Sequence, residues 1–169
     1  AWAARRRPAA AGVVLSSAAL KIGGDVPRLL VALAPLLSRW LPRLRGTRID
    51  PSLISRDPAA VAAYVGDPLV SLAAPPARTG AELLAVMAQS TAAAAGLALP
   101  VYLFHGSEDR LTDPAGSREV HAAWGGADKT LRLWPGSRHE TLNDLDREAV
   151  AAELMAWLEA RCGAIAGAR

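Results

Sequence analysis

Two short segments of this chain bring together residue types that can move protons. Gly106-Ser107-Glu108-Asp109-Arg110 follows the apolar run from Pro100 to Phe104, and Gly136-Ser137-Arg138-His139-Glu140 follows the run from Thr130 to Trp134. A carboxylate and an imidazole set just past the ends of neighbouring strands can supply two members of a nucleophile–His–acid triad. The base takes the proton of an attacking hydroxyl, and the acid fixes the tautomer of the base and stabilises the imidazolium that forms. Imidazole suits the first role because its unperturbed pKa, about 6.5, lies near neutral pH. An Asp after a strand can equally cap a helix, and a loop His can equally face solvent, so spacing alone leaves both readings open.

Rival residues lie close by. Asp113 directly precedes Pro114, the residue best suited to the first helical position, and reads as an N-cap. Glu108 reads as solvated, and His105, at a strand end, and His121, on a helix, read as structural or surface residues. Asp109 is the better acid.

The elements that must position these residues follow a regular rhythm in the last third of the chain. Pro100 to Phe104 reads as a strand, Pro114 to Trp124 as a helix and Thr130 to Trp134 as a strand. Asp146 to Arg161 reads as a closing helix with Val150, Leu154, Trp157 and Leu158 on one face. Strand–helix–strand–helix implies parallel strands joined by a right-handed crossover, an α/β arrangement whose sites lie beyond the carboxyl ends of the strands. Adjacent strands are about 4.8 Å apart, so side chains from their end loops can meet. Earlier, residues 12–17 read as one short buried strand and residues 1–7 as the end of a helix. Between them and the regular region, residues 23–95 carry Pro27, Pro35, Pro42, Pro51, Pro58, Pro68, Pro75 and Pro76, with helical patches and no convincing strand. The stretch reads as a helical cap inserted over the sheet edge. Three parts result: 1–22, 23–95 and 96–169.

Composition narrows the function classes. The chain has 169 residues, 51% of them hydrophobic and 21% charged, which fits one folded domain rather than a disordered chain. Net charge is +3, the arginines are scattered and aromatics are only 5%, a poor fit to nucleic-acid binding. Cys162 is the single cysteine, so no intrachain disulfide can form, which suits a reducing, cytoplasmic setting. The chain begins with Ala1 rather than Met and gives no reading on a signal peptide.

With these residues in view, the chain resembles the monoacylglycerol lipase (lysophospholipase-like) branch of the α/β-hydrolases. The resemblance runs through Gly12-Val13-Val14-Leu15-Ser16-Ser17, Leu53-Ile54-Ser55-Arg56-Asp57-Pro58 and Tyr64-Val65-Gly66-Asp67-Pro68-Leu69-Val70. It continues in His105-Gly106-Ser107-Glu108-Asp109-Arg110-Leu111, Ala127-Asp128-Lys129-Thr130-Leu131 and Pro135-Gly136-Ser137-Arg138-His139-Glu140. The order acid then His is that of the family. The resemblance implies a serine hydrolase of lipid esters, with Asp109 as triad acid, His139 as triad base and the cap as a lid over an acyl chain. Leu83, Leu84 and Leu111 match acyl-lining positions, where each buried methylene is worth about 0.8 kcal/mol. No metal or organic cofactor is implied. Arg138 departs from the family, which usually has an aromatic residue before the His.

The family nucleophile sits in Gly-x-Ser-x-Gly, and no such motif occurs in these 169 residues. Ser107 and Ser137 lie in the acid and His loops and are not elbow serines. The resemblance therefore implies the C-terminal portion of an α/β-hydrolase, starting just downstream of its nucleophile and oxyanion hole, inactive and poorly soluble alone. Alternatives are another hydrolase of this fold, an aryl esterase or an N-terminal peptidase, or a non-catalytic binding module. In the cap, Leu29, Leu30, Leu33, Leu36, Leu37, Trp40, Leu41 and Leu44 recur at helical spacing among Arg28, Arg39 and Arg43. Such a face either packs on the hydrolase body, the favoured expectation, or rests transiently on a membrane surface. Pro35 and Pro42 are expected to kink or divide it.

Overall fold

The computed structural model describes residue 6 and residues 9–24 and 26–166, so the helix end expected at residues 1–7 lies almost wholly outside the described residues. Three parallel strands, β1 (Val13–Ser16), β2 (Val101–Gly106) and β3 (Lys129–Trp134), form one sheet in the order β1-β2-β3. Val101 pairs with Val13 on one side and Lys129 on the other, and the second ladder runs on to Gly106 opposite Trp134. All three carboxyl ends therefore share one edge.

The middle strand β2 is buried at every residue, which is why it reads as an unbroken apolar run rather than an alternating one. Its side chains alternate between two cores. Val101 and Leu103 pack with Ala94, Leu97, Val120 and Trp124, while Tyr102 and Phe104 pack with Trp134, Val150 and the partly buried Leu154 and Trp157. By the same alternation His105 falls on the first face. The described residues add five helices: α1 (Arg28–Trp40), α2 (Pro58–Gly66), α3 (Ala77–Ala95), α4 (Pro114–Ala123) and α5 (Arg147–Ala166). Helix α4 is the crossover between β2 and β3. Asp113 caps it, its side chain accepting the Ala115 N–H, with Pro114 in the first turn as its sequence requires. Helix α5 turns Val150, Leu154 and Trp157 toward the sheet, the face its periodicity predicts.

Among the described residues, 23–95 contain three helices, one 3-10 turn (Pro51–Leu53) and no strand. Helix α1 packs on α3, and the residues it buries are the small ones, Ala34 and Ser38. Small side chains let two helices approach closely, and Leu30 and Leu37 of the leucine stripe are half-buried on the same side while the rest of the stripe faces away. Leu29 is 71% exposed and Trp40 69%, with Leu33, Leu36, Leu41 and Leu44 also exposed. Within the described residues the stripe is thus covered only at Leu30 and Leu37. Pro35 sits inside α1 without dividing it, and the helix ends ahead of Pro42. Helix α3 carries the region into the sheet's own core, where its last turn buries Ala94. No helix among the described residues is long and apolar enough to cross a membrane.

Candidate active site

The loops after β2 and β3 are fastened to each other before either reaches its ionisable residue. Ser107 N–H donates to the Trp134 carbonyl at 2.9 Å and Glu108 N–H to the Ser137 carbonyl at 3.0 Å. Gly136 N–H donates to Ser107 Oγ at 2.8 Å. Both glycines are required by this geometry. A Cβ on Gly106 would collide with the carbonyl oxygens of Ser137 and Arg138, and Gly136 has φ +74°, a region open to glycine at little cost. The Gly-Ser that opens each segment is thus the fastening between the two loops.

Asp109 and His139 meet across this seam. His139 Nδ1 lies 2.7 Å from Asp109 Oδ2, and the Asp109 side chain is wholly buried while that of His139 is 29% exposed. With Nδ1–H donating, Nε2 is the nitrogen left to take a proton. Oδ2 also accepts from Thr112 Oγ1 at 2.9 Å and lies 3.0 Å from His105 Nε2, and Oδ1 accepts the N–H groups of Leu111 and Thr112. Burial would push the Asp109 carboxyl up. The hydrogen bonds from His105 and His139, the Thr112 N–H and the nearby charge of His139 outweigh it and hold the carboxyl far below the usual carboxylate range. The acid is therefore ionised and cannot rotate. Ser17, just past β1, lends support from a left-handed backbone (φ +39°), its N–H held by the Phe104 carbonyl and its own carbonyl oxygen 3.3 Å from Thr112 Oγ1.

A second network brackets His139. Arg138 N–H donates to Asp144 Oδ2 at 2.7 Å on one side, and Glu140 N–H donates to the Ile54 carbonyl at 2.8 Å on the other. The buried Asp144 Oδ1 accepts from Arg56 N–H at 3.0 Å, Arg56 Nε at 3.1 Å and Leu145 N–H at 2.8 Å. Arg56 also donates to Asp146 and Ser137, and Arg138 Nη1 donates to the carbonyls of Ser52 and Ser55. Burial would raise the Asp144 carboxyl, but the N–H groups of Arg138, Leu145 and Arg56 and the Arg56 guanidinium together hold it low. The segment Ser52–Arg56 is thus a socket for the loop that presents His139. Sequence reasoning marked Leu53–Pro58 only as family-like. Its one signal was a charged Arg-Asp pair in a non-helical, proline-flanked stretch.

The other expected residues fall as follows. Asp113 is an N-cap, Glu108 is exposed, and His121 lies on α4 with Nε2 3.4 Å from the Lys129 carbonyl oxygen. His105 is not at the surface but wholly buried, bonded to the same oxygen that His139 uses. Leu111 adjoins the pair through its N–H, whereas Leu83 and Leu84 lie on α3, Leu83 exposed and Leu84 half-buried. An open cleft of about 440 Å³ beside Asp109 is lined by Leu53, Ser107, Glu108, Asp109, Arg110 and Arg138. Arg138, the departure from the resembled pattern, sits in its wall. Among the described residues no group of His, Cys, Asp and Glu side chains is arranged to hold a metal ion.

A hydrolase family described as serine aminopeptidase, S33, matches residues 1–146. The chain belongs to this family. Within it the chain is similar to monoacylglycerol lipases, as an α/β-hydrolase built on a parallel sheet with flanking helices. It is 32% identical to the monoacylglycerol lipase of Mycolicibacterium smegmatis over 94% of this chain and 56% of that one. It is 35% identical to the monoglyceride lipase of Rattus norvegicus over 83% of this chain and 47% of that one. The crystal structure of Paleococcus ferrophilus monoacylglycerol lipase superposes with a TM-score of 0.88 at 33% identity, over 95% of this chain and 63% of that one. The chain thus spans about half the length of these lipase relatives in sequence.

Proposed function

We propose that these residues supply the acid and base of a serine ester hydrolase acting on monoacylglycerol or lysophospholipid-like esters. The observation that carries the reading is the 2.7 Å contact between His139 Nδ1 and the buried Asp109 Oδ2 beyond the ends of adjacent parallel strands. The serine comes from outside the 169 residues, which hold no Gly-x-Ser-x-Gly. Its hydroxyl attacks the ester carbonyl as His139 Nε2 takes the proton, and Asp109 stabilises the imidazolium. His139 then returns that proton to the departing glycerol oxygen, leaving an acyl-serine. Water, deprotonated in turn by Nε2, attacks the acyl carbon and releases the fatty acid with the serine restored.

In this reading residues 1–22 and 96–169 are parts of the hydrolase body and residues 23–95 its cap. Leu83, Leu84 and Leu111 border the acyl chain, and the exposed face of α1 touches membrane transiently. The 169 residues alone are inactive, since removing a triad serine costs on the order of 10⁶-fold in turnover. Membership of the serine aminopeptidase, S33 family supports a second reading, an aminopeptidase, which uses the same three groups on an amide. The test is fluorophosphonate labelling of the full-length protein, together with turnover of 1-monooleoylglycerol, a lysophosphatidylcholine and aminoacyl anilides. Labelling abolished by His139→Ala, with ester turnover dominant, is the expected result. Labelling that persists in His139→Ala, or turnover of anilides alone, overturns the ester reading.

A further inference from the structure

His105 is the titratable group the mechanism above leaves unused. It is wholly buried, on the face of β2 that meets α4. Its Nδ1 lies 2.7 Å from the buried Ser117 Oγ on α4, and its Nε2 lies 3.0 Å from Asp109 Oδ2, 3.2 Å from Thr112 Oγ1 and 3.3 Å from the Thr112 carbonyl oxygen. The carboxylate and the carbonyl can only accept, and Thr112 Oγ1 gives its proton to Asp109 Oδ2, so Nε2 carries a proton and donates it to Asp109. The Ser117 hydroxyl, able to donate or accept, meets Nδ1 on the far side and holds the ring in place.

We propose that His105 is a positioning residue, a second imidazole that holds Asp109 Oδ2 in line with His139 Nδ1. The proposal rests on Asp109 and His139 being the acid and base of the reaction. Oδ2 takes three donors and Oδ1 two, more than a freely rotating carboxylate would keep. Losing the His105 donor makes Oδ2 a stronger partner for a protonated His139 and lets the carboxylate turn. The charged and titratable groups around His139 are few. Asp109 touches it and His105 reaches it through Oδ2, while Glu108 and Arg110 flank Asp109 at the surface. On its own loop Arg138 is bound to the Ser52 and Ser55 carbonyls and Glu140 to Asn143, with Arg56, Asp144 and Asp146 behind them.

The test compares His105→Leu, which has no donor, with His105→Gln, whose amide can donate to Asp109 and accept from Ser117. The full-length protein is the sample, and hydrolysis of 1-monooleoylglycerol and the His139 Nδ1–H proton resonance are the readouts. Expected for Leu is a kcat lower by about tenfold to a hundredfold with KM within about twofold. The acid limb of its kcat/KM profile moves up by about half a pH unit or more. Gln recovers most of that loss, with the Nδ1–H resonance preserved. Equal losses in Leu and Gln, or a Leu profile that does not move, overturn the proposal. If Leu fails to fold, Gln decides alone: a kcat within about tenfold of wild type with the Nδ1–H resonance preserved supports the proposal, and a larger loss or a lost resonance overturns it. A wild-type protein without hydrolysis sinks the ester reading instead. In that case the Nδ1–H resonance decides on His105: changed in Leu and kept in Gln supports the proposal, and the same in both overturns it.

Discussion

Asp144→Asn tests the socket that presents His139, and its size can be worked out bond by bond. The carboxylate is wholly buried and accepts four N–H groups: Arg56 N, Arg56 Nε and Leu145 N at Oδ1, and Arg138 N at Oδ2. Asparagine offers one oxygen and one NH₂. If its oxygen stays at Oδ1, the NH₂ faces Arg138 N–H, donor against donor, at the residue before His139. If it flips, three donors lose their acceptor. The milder case leaves one buried N–H unsatisfied, about 1–3 kcal/mol, and weakens a hydrogen bond to a charged group. Asp146 still pairs with Arg56, so the guanidinium is not stranded. The expected loss is about 2–4 kcal/mol in urea unfolding of the full-length protein. For the proposed ester reaction, His139 freed on one side should shift relative to the ester carbonyl, lowering kcat on 1-monooleoylglycerol by about a hundredfold with KM little changed. Replacing both partners, Arg56→Met with Asp144→Leu, should cost less than the sum of the single changes, because no buried charge is then left alone. A loss below about 1 kcal/mol, or strict additivity in the double variant, refutes the reasoning.

Gly106→Ala drives a methyl group into the Ser137 and Arg138 carbonyls and so parts the two loops. A loss of about 2 kcal/mol or more in thermal unfolding is expected, with fluorophosphonate labelling slowed even where the protein remains folded. Acid should weaken the fold through Asp109 and Asp144, whose folded carboxyls both lie below the ordinary value. The unfolded chain binds those protons first, so their stabilisation is complete above about pH 4 and is lost as pH falls through the folded values. Unfolding free energies measured from about pH 5 downward should fall less steeply in Asp144→Asn than in wild type. An unchanged slope would rule out the Asp144 share.

The meeting of Asp109 and His139 was legible because each lies just past a run that only a buried parallel strand explains. Strand period and crossover order then leave little freedom in which loops meet. Asp113 was legible for a similarly local reason, since Asp-Pro carries its own helix start. The partners of Asp109 were less so. Strand alternation puts His105 on the face of Val101 and Leu103, but that it meets Ser117 depends on how α4 settles on the sheet. The Arg56–Asp144 pairing joins residues 88 apart in sequence and has no local signature at all. On α1 periodicity reports which residues share a face, not which face is covered. The buried Ala34 and Ser38, with half-buried Leu30 and Leu37 beside them, mark the covered side.

What these contacts share is that donors and acceptors are placed before any substrate arrives. Asp109 is ionised, pinned on both oxygens and shielded from water, so His139 has one tautomer available and Nε2 as its working nitrogen. Work that water would do by reorienting around a new imidazolium has been completed during folding, and such preorganised electrostatics are the larger part of what an active site contributes. His139 is held from two distant parts of the chain, residues 52–56 and 144–146, while Asp109 is held almost entirely from 105–112. The two are therefore separable in experiment. Disturbing Arg56 should loosen His139 while leaving Asp109 ionised and hydrogen-bonded, whereas disturbing His105 should alter the carboxylate while the His139 loop stays seated.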